Sequence, residues 1–128
     1  MKIKQLLLFF LSVFFFSAAS GCAQDTTKTM SISELKNAIK NDTSLIILDV
    51  RNPEELKGPL GSLDNIINIP VQDLQSRIGE LEKYKNKNIA VICRTGHRSA
   101  KAQKILSEHG FSSKSVSGGM TEYRKENE

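Results

Sequence analysis

Tryptophan is missing from the 128 residues and tyrosine occurs only twice. Aromatic faces on which nucleic-acid bases could stack are therefore scarce. Neither sign of charge is in large excess, with 18 Lys and Arg against 14 Asp and Glu. The two signs are interspersed and form no basic stripe, which argues for no nucleic acid as a partner. Two cysteines are too few for the disulfide framework of a small secreted domain. No internal repeat or low-complexity segment interrupts the main part of the chain, and the length allows one domain. No apolar run reaches the roughly 20 residues that a membrane-spanning helix requires.

The first residues nevertheless stand apart. Lys2 and Lys4 precede residues 6–16, which are apolar except for Ser12, and then the small residues Ser17-Ala18-Ala19-Ser20-Gly21. That order predicts a signal peptide over 1–21. An uncleaved amino-terminal anchor is the alternative, and either one exports the domain. Ala19-Ser20-Gly21-Cys22 is similar to a bacterial lipobox, with Ala19 where leucine is usual. The resemblance implies that Cys22 is lipidated and that the chain meets a membrane through this lipid, each buried methylene contributing about 0.8 kcal/mol. The expected location is the periplasm or cell envelope. Loss of residues 1–21 removes two lysines and no acid, leaving 16 basic and 14 acidic residues, or +2. If Cys22 carries lipid, Cys93 is a lone thiol in an oxidising compartment, which is a liability unless it is used.

Residues 22–30 are polar and read as a tether, and 31–128 as the folded domain. Ser33 is the expected cap of a helix carrying Leu35, Ala38 and Ile39, with Asn41-Asp42 as its stop. Leu45-Ile46-Ile47-Leu48 is an unbroken apolar run suited to a central strand covered on both faces. Asn52-Pro53-Glu54-Glu55 has the cap, proline and first-turn acids of a short helix, broken at Gly58-Pro59. Ile66-Ile67-Asn68-Ile69-Pro70 reads as a strand, and Leu74, Ile78 and Leu81 recur at helical intervals. Ile89-Ala90-Val91-Ile92 reads as a buried strand, followed by a loop, a helix from Ser99 to the terminating Gly110, a short strand at Ser115-Val116 and a last helical piece. Alternating short strands and helices predict an α/β domain with a mainly parallel central sheet flanked by helices.

In such a sheet ligands bind beyond the carboxyl ends of the strands. Cys93 occupies such an end, immediately before a helix whose first amides are free. Gly96 allows successive N–H groups to converge, and Arg94 and Arg98 add positive charge. All of these lower a thiol pKa, from about 8.5 toward 7 or below.

Cys93-Arg94-Thr95-Gly96-His97-Arg98-Ser99 resembles the active-site loop of the single-domain rhodaneses, which are sulfurtransferases with a three-layer α/β fold. Leu48-Asp49-Val50-Arg51-Asn52-Pro53-Glu54-Glu55-Leu56, Asn68-Ile69-Pro70 and Gly118-Gly119-Met120 are similar to further landmarks of that family, in the same order. The resemblance implies that Cys93 accepts a sulfane sulfur as a persulfide, and that the amides of Arg94, Thr95, Gly96, His97, Arg98 and Ser99 cradle it. It also implies that Arg98 supports the loop and the anion, and that Arg94 recruits anionic donors such as thiosulfate. Asp49 and Arg51 would form a structural pair near the site. His97 is read as loop filler rather than a base. Gly61-Ser62-Leu63 replaces the family's Gly-His-Ile, and Tyr123 is the nearest aromatic to the usual tryptophan position.

Four residues separate Cys93 from Arg98, whereas cysteine phosphatases, an alternative together with an arsenate reductase-like enzyme, have five in the phosphatase pattern. At the longer spacing stands Ser99, which cannot clamp phosphate bidentately. The expected reaction passes sulfur from a small anionic donor to a thiol or cyanide acceptor through Cys93, with no metal or organic cofactor implied. The same cysteine would serve a module that carries or senses sulfur for an unknown sulfur-accepting protein.

Overall fold

The computed structural model describes residues 27–128. The expected signal peptide over 1–21 and lipidation of Cys22 lie outside these residues. In chain order the elements are Thr29–Met30 (β1), Ile32–Asn41 (α1), Ile46–Asp49 (β2), Pro53–Leu56 (α2), Ile66–Asn68 (β3) and Val71–Arg77 (α3). A 3-10 helix over Ile78–Tyr84 follows, then Asn88–Ile92 (β4), His97–Glu108 (α4), Ser112–Val116 (β5) and Gly119–Lys125 (α5). The five strands form one sheet in the order β1-β5-β4-β2-β3, and every pair is parallel. This is the rhodanese-like α/β architecture the sequence predicts.

Strand periodicity sorts the side chains onto two faces. Leu48, Ile89, Val91 and Cys93 point to one face, packed with Leu74, Leu81, Ala102 and Leu106 of the helices there. Ile47, Ala90, Ile92 and Val116 point to the other, under Ile32, Leu35 and Met120. The unbroken apolar runs in β2 and β4 are thus explained by two cores, one on each side of the sheet. The same alternation carries Cys93 to the α4 side, one residue past the end of β4.

Four local expectations change. The first helix is capped by Ser31 and not Ser33. Ser31 Oγ accepts from Glu34 N at 3.1 Å and Glu34 Oε2 accepts from Ser31 N at 2.7 Å, a reciprocal box that Ser33 has no partner to form. The helix expected from Ser99 begins at His97, because Gly96 takes φ +111° and becomes its cap. The run of Leu74, Ile78 and Leu81 is split between an α-helix and the 3-10 helix. Ile78, Leu81 and Tyr84 are three apart, the spacing that a 3-10 turn brings onto one face, and all three pack on the first core. Finally, Thr29 and Met30, expected in the tether, pair with Ser115 and Val116 as an edge strand, and β5 starts at Ser112. Its Ser-Ser-Lys-Ser stretch has no apolar signal, and backbone pairing with β4 and β1 makes it a strand.

The cap assignment is testable by denaturation. Ser31→Ala is expected to cost about 1 kcal/mol, whereas Ser33→Ala, on an exposed site, is expected to stay within about 0.5 kcal/mol.

Candidate active site

Cys93 is 1% exposed, at the mouth of a loop that closes on its own sulfur. Gly96 N donates to Sγ at 3.1 Å and Ser99 N at 3.4 Å, while Ser99 Oγ lies 3.5 Å from it. The left-handed Gly96 turns the chain so that amides on both sides of it reach one atom. Burial pushes the Cys93 thiol up. Hydrogen bonds from the Ser99 side chain and from the amides of Ser99, Gly96 and Thr95 together outweigh it, so the thiol lies below its ordinary value. The arrangement can hold a sulfur anion without bulk water.

The two loop arginines part company. Arg98 Nη1 and Nη2 donate to Glu55 Oε2 and Oε1 at 2.7 and 2.8 Å, a bidentate pair that ties the start of α4 to α2. Glu55 Oε2 also accepts from Asn52 N at 2.8 Å, so one carboxylate serves the helix start and the loop. Both terminal nitrogens of Arg98 are committed to this scaffold contact. Arg94 is exposed and has no ion-pair partner among the described residues. A groove of about 500 Å³ opens beside it, lined by Arg51, Glu55, Gly58, Pro59, Leu60, Arg94 and Thr121. Thr95 and His97 are also exposed. No group of three or more His, Cys, Asp or Glu among the described residues is placed to hold a metal ion. A second hollow, about 190 Å³ and lined by Met30, Ala38, Leu45 and Ile89, lies at the other end of β4 and outside this site. Four residues of strand, about 13 Å, separate Ile89 from Cys93.

Asp49 and Arg51 are 0% and 1% exposed. Arg51 Nε reaches Asp49 Oδ1 at 3.0 Å, and Nη2 reaches Oδ2 at 2.7 Å and Gly61 O at 2.8 Å. Arg51 thereby fastens the 58–61 turn, one wall of the groove, to the end of β2. Asn68 Nδ2 bridges the carbonyls of Asp49 and Arg51 at 2.9 and 2.8 Å. Leu63, where the family's Gly-His-Ile differs, is buried in the second core. Tyr123 packs against that core with Lys36 over its ring at 5.3 Å.

The base of the loop rests on α5. Met120 N donates to Cys93 O at 2.8 Å and Thr121 N to Arg94 O at 3.0 Å. So close an approach requires Gly119. Its φ is +58°, and a Cβ there would press on Cys93 O and lie 2.6 Å from the carbonyl carbon and oxygen of Arg94. In the sequence Glu55 and Gly119 stand out only within motifs and Ser115 only beside Val116 in a short strand, yet the Ser115 hydroxyl is 2.7 Å from that of Ser99. Capping spacing gave the signal for Glu55, but nothing local marked Ser115.

A sequence profile described as Rhodanese-like domain matches residues 31–126. The chain belongs to the rhodanese-like family. It is 34% identical over 99 residues to YtwF of Bacillus subtilis, a candidate sulfurtransferase by name, covering 77% of this chain and 92% of that one. The thiosulfate sulfurtransferase PspE of Escherichia coli is 34% identical over 73 residues, 57% of this chain and 68% of PspE. The crystal structure of a rhodanese-related protein from Thermoplasma volcanium superposes with a TM-score of 0.69 at 37% identity, over 77% of this chain and 92% of that one. In this rhodanese-like chain the matched region contains every residue of the loop and of both ion pairs around it.

Two outcomes check the scaffold. The Arg98 side chain holds the Glu55 carboxyl down, burial opposes it, the Asn52 amide assists, and the result is about 2 against an ordinary 4.5. As pH falls, the unfolded chain takes up this proton first. The pair's stabilisation is therefore complete above about 4.5 and is lost as pH falls through about 2. Glu55→Gln is expected to flatten this part of the stability-versus-pH curve from urea titrations. Gly119→Ala is expected to push the loop off α5 and lower the alkylation rate of Cys93 about tenfold, the effect of losing roughly 1.4 kcal/mol of positioning.

Proposed function

We propose that the chain is a sulfurtransferase in which Cys93 takes a sulfane sulfur from a small anionic donor such as thiosulfate or a polysulfide. The observation that carries this reading is the aim of the Gly96 and Ser99 amides at a single sulfur atom, 3.1 and 3.4 Å away. A phosphate-transfer loop would need those amides turned to oxygens around a larger centre, with its arginine free to clamp them. Here the loop arginine is held by Glu55. The family and the thiosulfate sulfurtransferase named among the relatives support the same direction.

In the proposed reaction the Cys93 thiolate attacks the outer sulfur of thiosulfate. A new S–S bond forms as the donor's S–S bond breaks, and sulfite leaves with the electron pair. A thiolate or cyanide then attacks the outer sulfur of the persulfide and restores the Cys93 thiolate. Charge on Sγ is stabilised in both half-reactions by the same preorganised amides, and no metal or organic cofactor enters. Exposed Arg94, at the edge of the groove, recruits the donor. We assign the domain to the cell envelope, exported through residues 1–21 and tethered by lipid on Cys22.

Incubation with thiosulfate followed by intact-mass measurement tests the central step, with the gain of one sulfur on Cys93 expected. Persulfide that forms but is not passed to cyanide or any small thiol would make the chain a carrier serving a protein acceptor. Cys93→Ser is expected to abolish transfer, and full activity in that variant would sink the scheme. Arg94→Ala should raise KM for thiosulfate about tenfold, the size of one charge-assisted hydrogen bond of about 1.5 kcal/mol. An unchanged KM would remove Arg94 from donor binding.

A further inference from the structure

Ser115 lies on β5, outside the loop, and is 4% exposed. Its hydroxyl has one hydrogen-bond partner among the described residues, Ser99 Oγ at 2.7 Å. Ser99 Oγ in turn lies 3.0 Å from Gly96 O and 3.5 Å from Cys93 Sγ. A hydroxyl has one proton to give and two lone pairs to receive. Ser99 Oγ donates that one proton to Gly96 O, so the proton of the contact between the two hydroxyls has to come from Ser115. Ser115 is therefore the donor, and the single proton of Ser99 is left for Gly96 O or for the sulfur.

We propose that Ser115 is a positioning residue for Cys93, holding the Ser99 hydroxyl so that its proton turns from Gly96 O to Sγ when the thiol becomes a thiolate. In the neutral state S–H donates to Ser99 Oγ, which also receives Ser115 and donates to Gly96 O. In the thiolate state Sγ can only accept, and Ser99 turns its proton to it. Gly96 O is not orphaned by the turn, because Ala100 N still donates to it at 3.1 Å. The bond from Ser115 persists in both states and keeps Ser99 in place. It rests on Cys93 acting as a thiolate, the state the proposed function requires.

The charged groups around the sulfur are the Arg98–Glu55 and Asp49–Arg51 pairs, with Arg94 and His97 exposed on the loop. Lys28, Lys104 and Glu108 line a surface groove with Ser115. Replacing Ser115 changes none of them. The test is the pH dependence of Cys93 alkylation by iodoacetamide in the full chain, read by mass on the peptide that carries Cys93. Ser115→Val and Ser115→Thr have nearly the same shape and differ in the hydroxyl. The valine variant is expected to raise the thiol pKa by about half a unit, a roughly threefold loss of thiolate below it. The threonine variant is expected to keep the wild-type profile. Equal profiles for the two would overturn the proposal, whether both shift or neither does. No sulfur donor is present, so a chain that alkylates as described and still transfers no sulfur would defeat the proposed function alone.

Discussion

A buried thiol at the end of a strand must find donors when it ionises, and every conspicuous feature around Cys93 follows from that need. Water is largely excluded from the sulfur, which is 1% exposed, so its negative charge depends on fixed N–H and O–H groups. The amides of Gly96, Ser99 and Thr95 and one hydroxyl supply them. The left-handed turn at Gly96 lets these amides of one short loop converge on a single atom. The loop is also held from outside.

Three contacts hold it, each from a different element of the fold. Glu55 grips Arg98 from α2, across 43 positions of sequence. The amides of Met120 and Thr121 satisfy the carbonyls of Cys93 and Arg94 from α5. Ser115 reaches the inner side of Ser99 from β5. Because the Arg98 guanidinium serves this scaffold, positive charge available to a ligand is concentrated on Arg94 at the groove. The two arginines thus differ in setting, Arg98 being tied into the scaffold by Glu55 and Arg94 standing exposed at the groove. The buried Asp49–Arg51 pair belongs to the support. It also connects the end of β2 with the 58–61 turn, a wall of the groove.

Much of the fold was legible because it is written in local periodicity. The apolar runs of β2 and β4 mark strands covered on both faces, and Pro53 with its neighbouring acids marks α2. The first helix shows where local reading slips, since Ser31 and Ser33 are both acceptable caps until the partner at the third position is counted. Thr29–Met30 and the serine-rich start of β5 were not legible, because edge pairing draws on backbone groups that every residue has.

Legible in the chain alone are the strand-end cysteine, the glycine that closes its loop, the spacing to Arg98 and the order of the elements that bring the loop to the sheet's carboxyl edge. Those are short-range properties, set by side-chain type, allowed dihedrals and residue count. Which groups complete the site is set by the folded arrangement. Whether Arg98 meets an anion or a carboxylate, whether Gly119 abuts the loop, and whether Ser115 faces solvent or Ser99 all depend on the distance between segments far apart in the chain. Packing of the two cores sets those distances, and no local pattern records them.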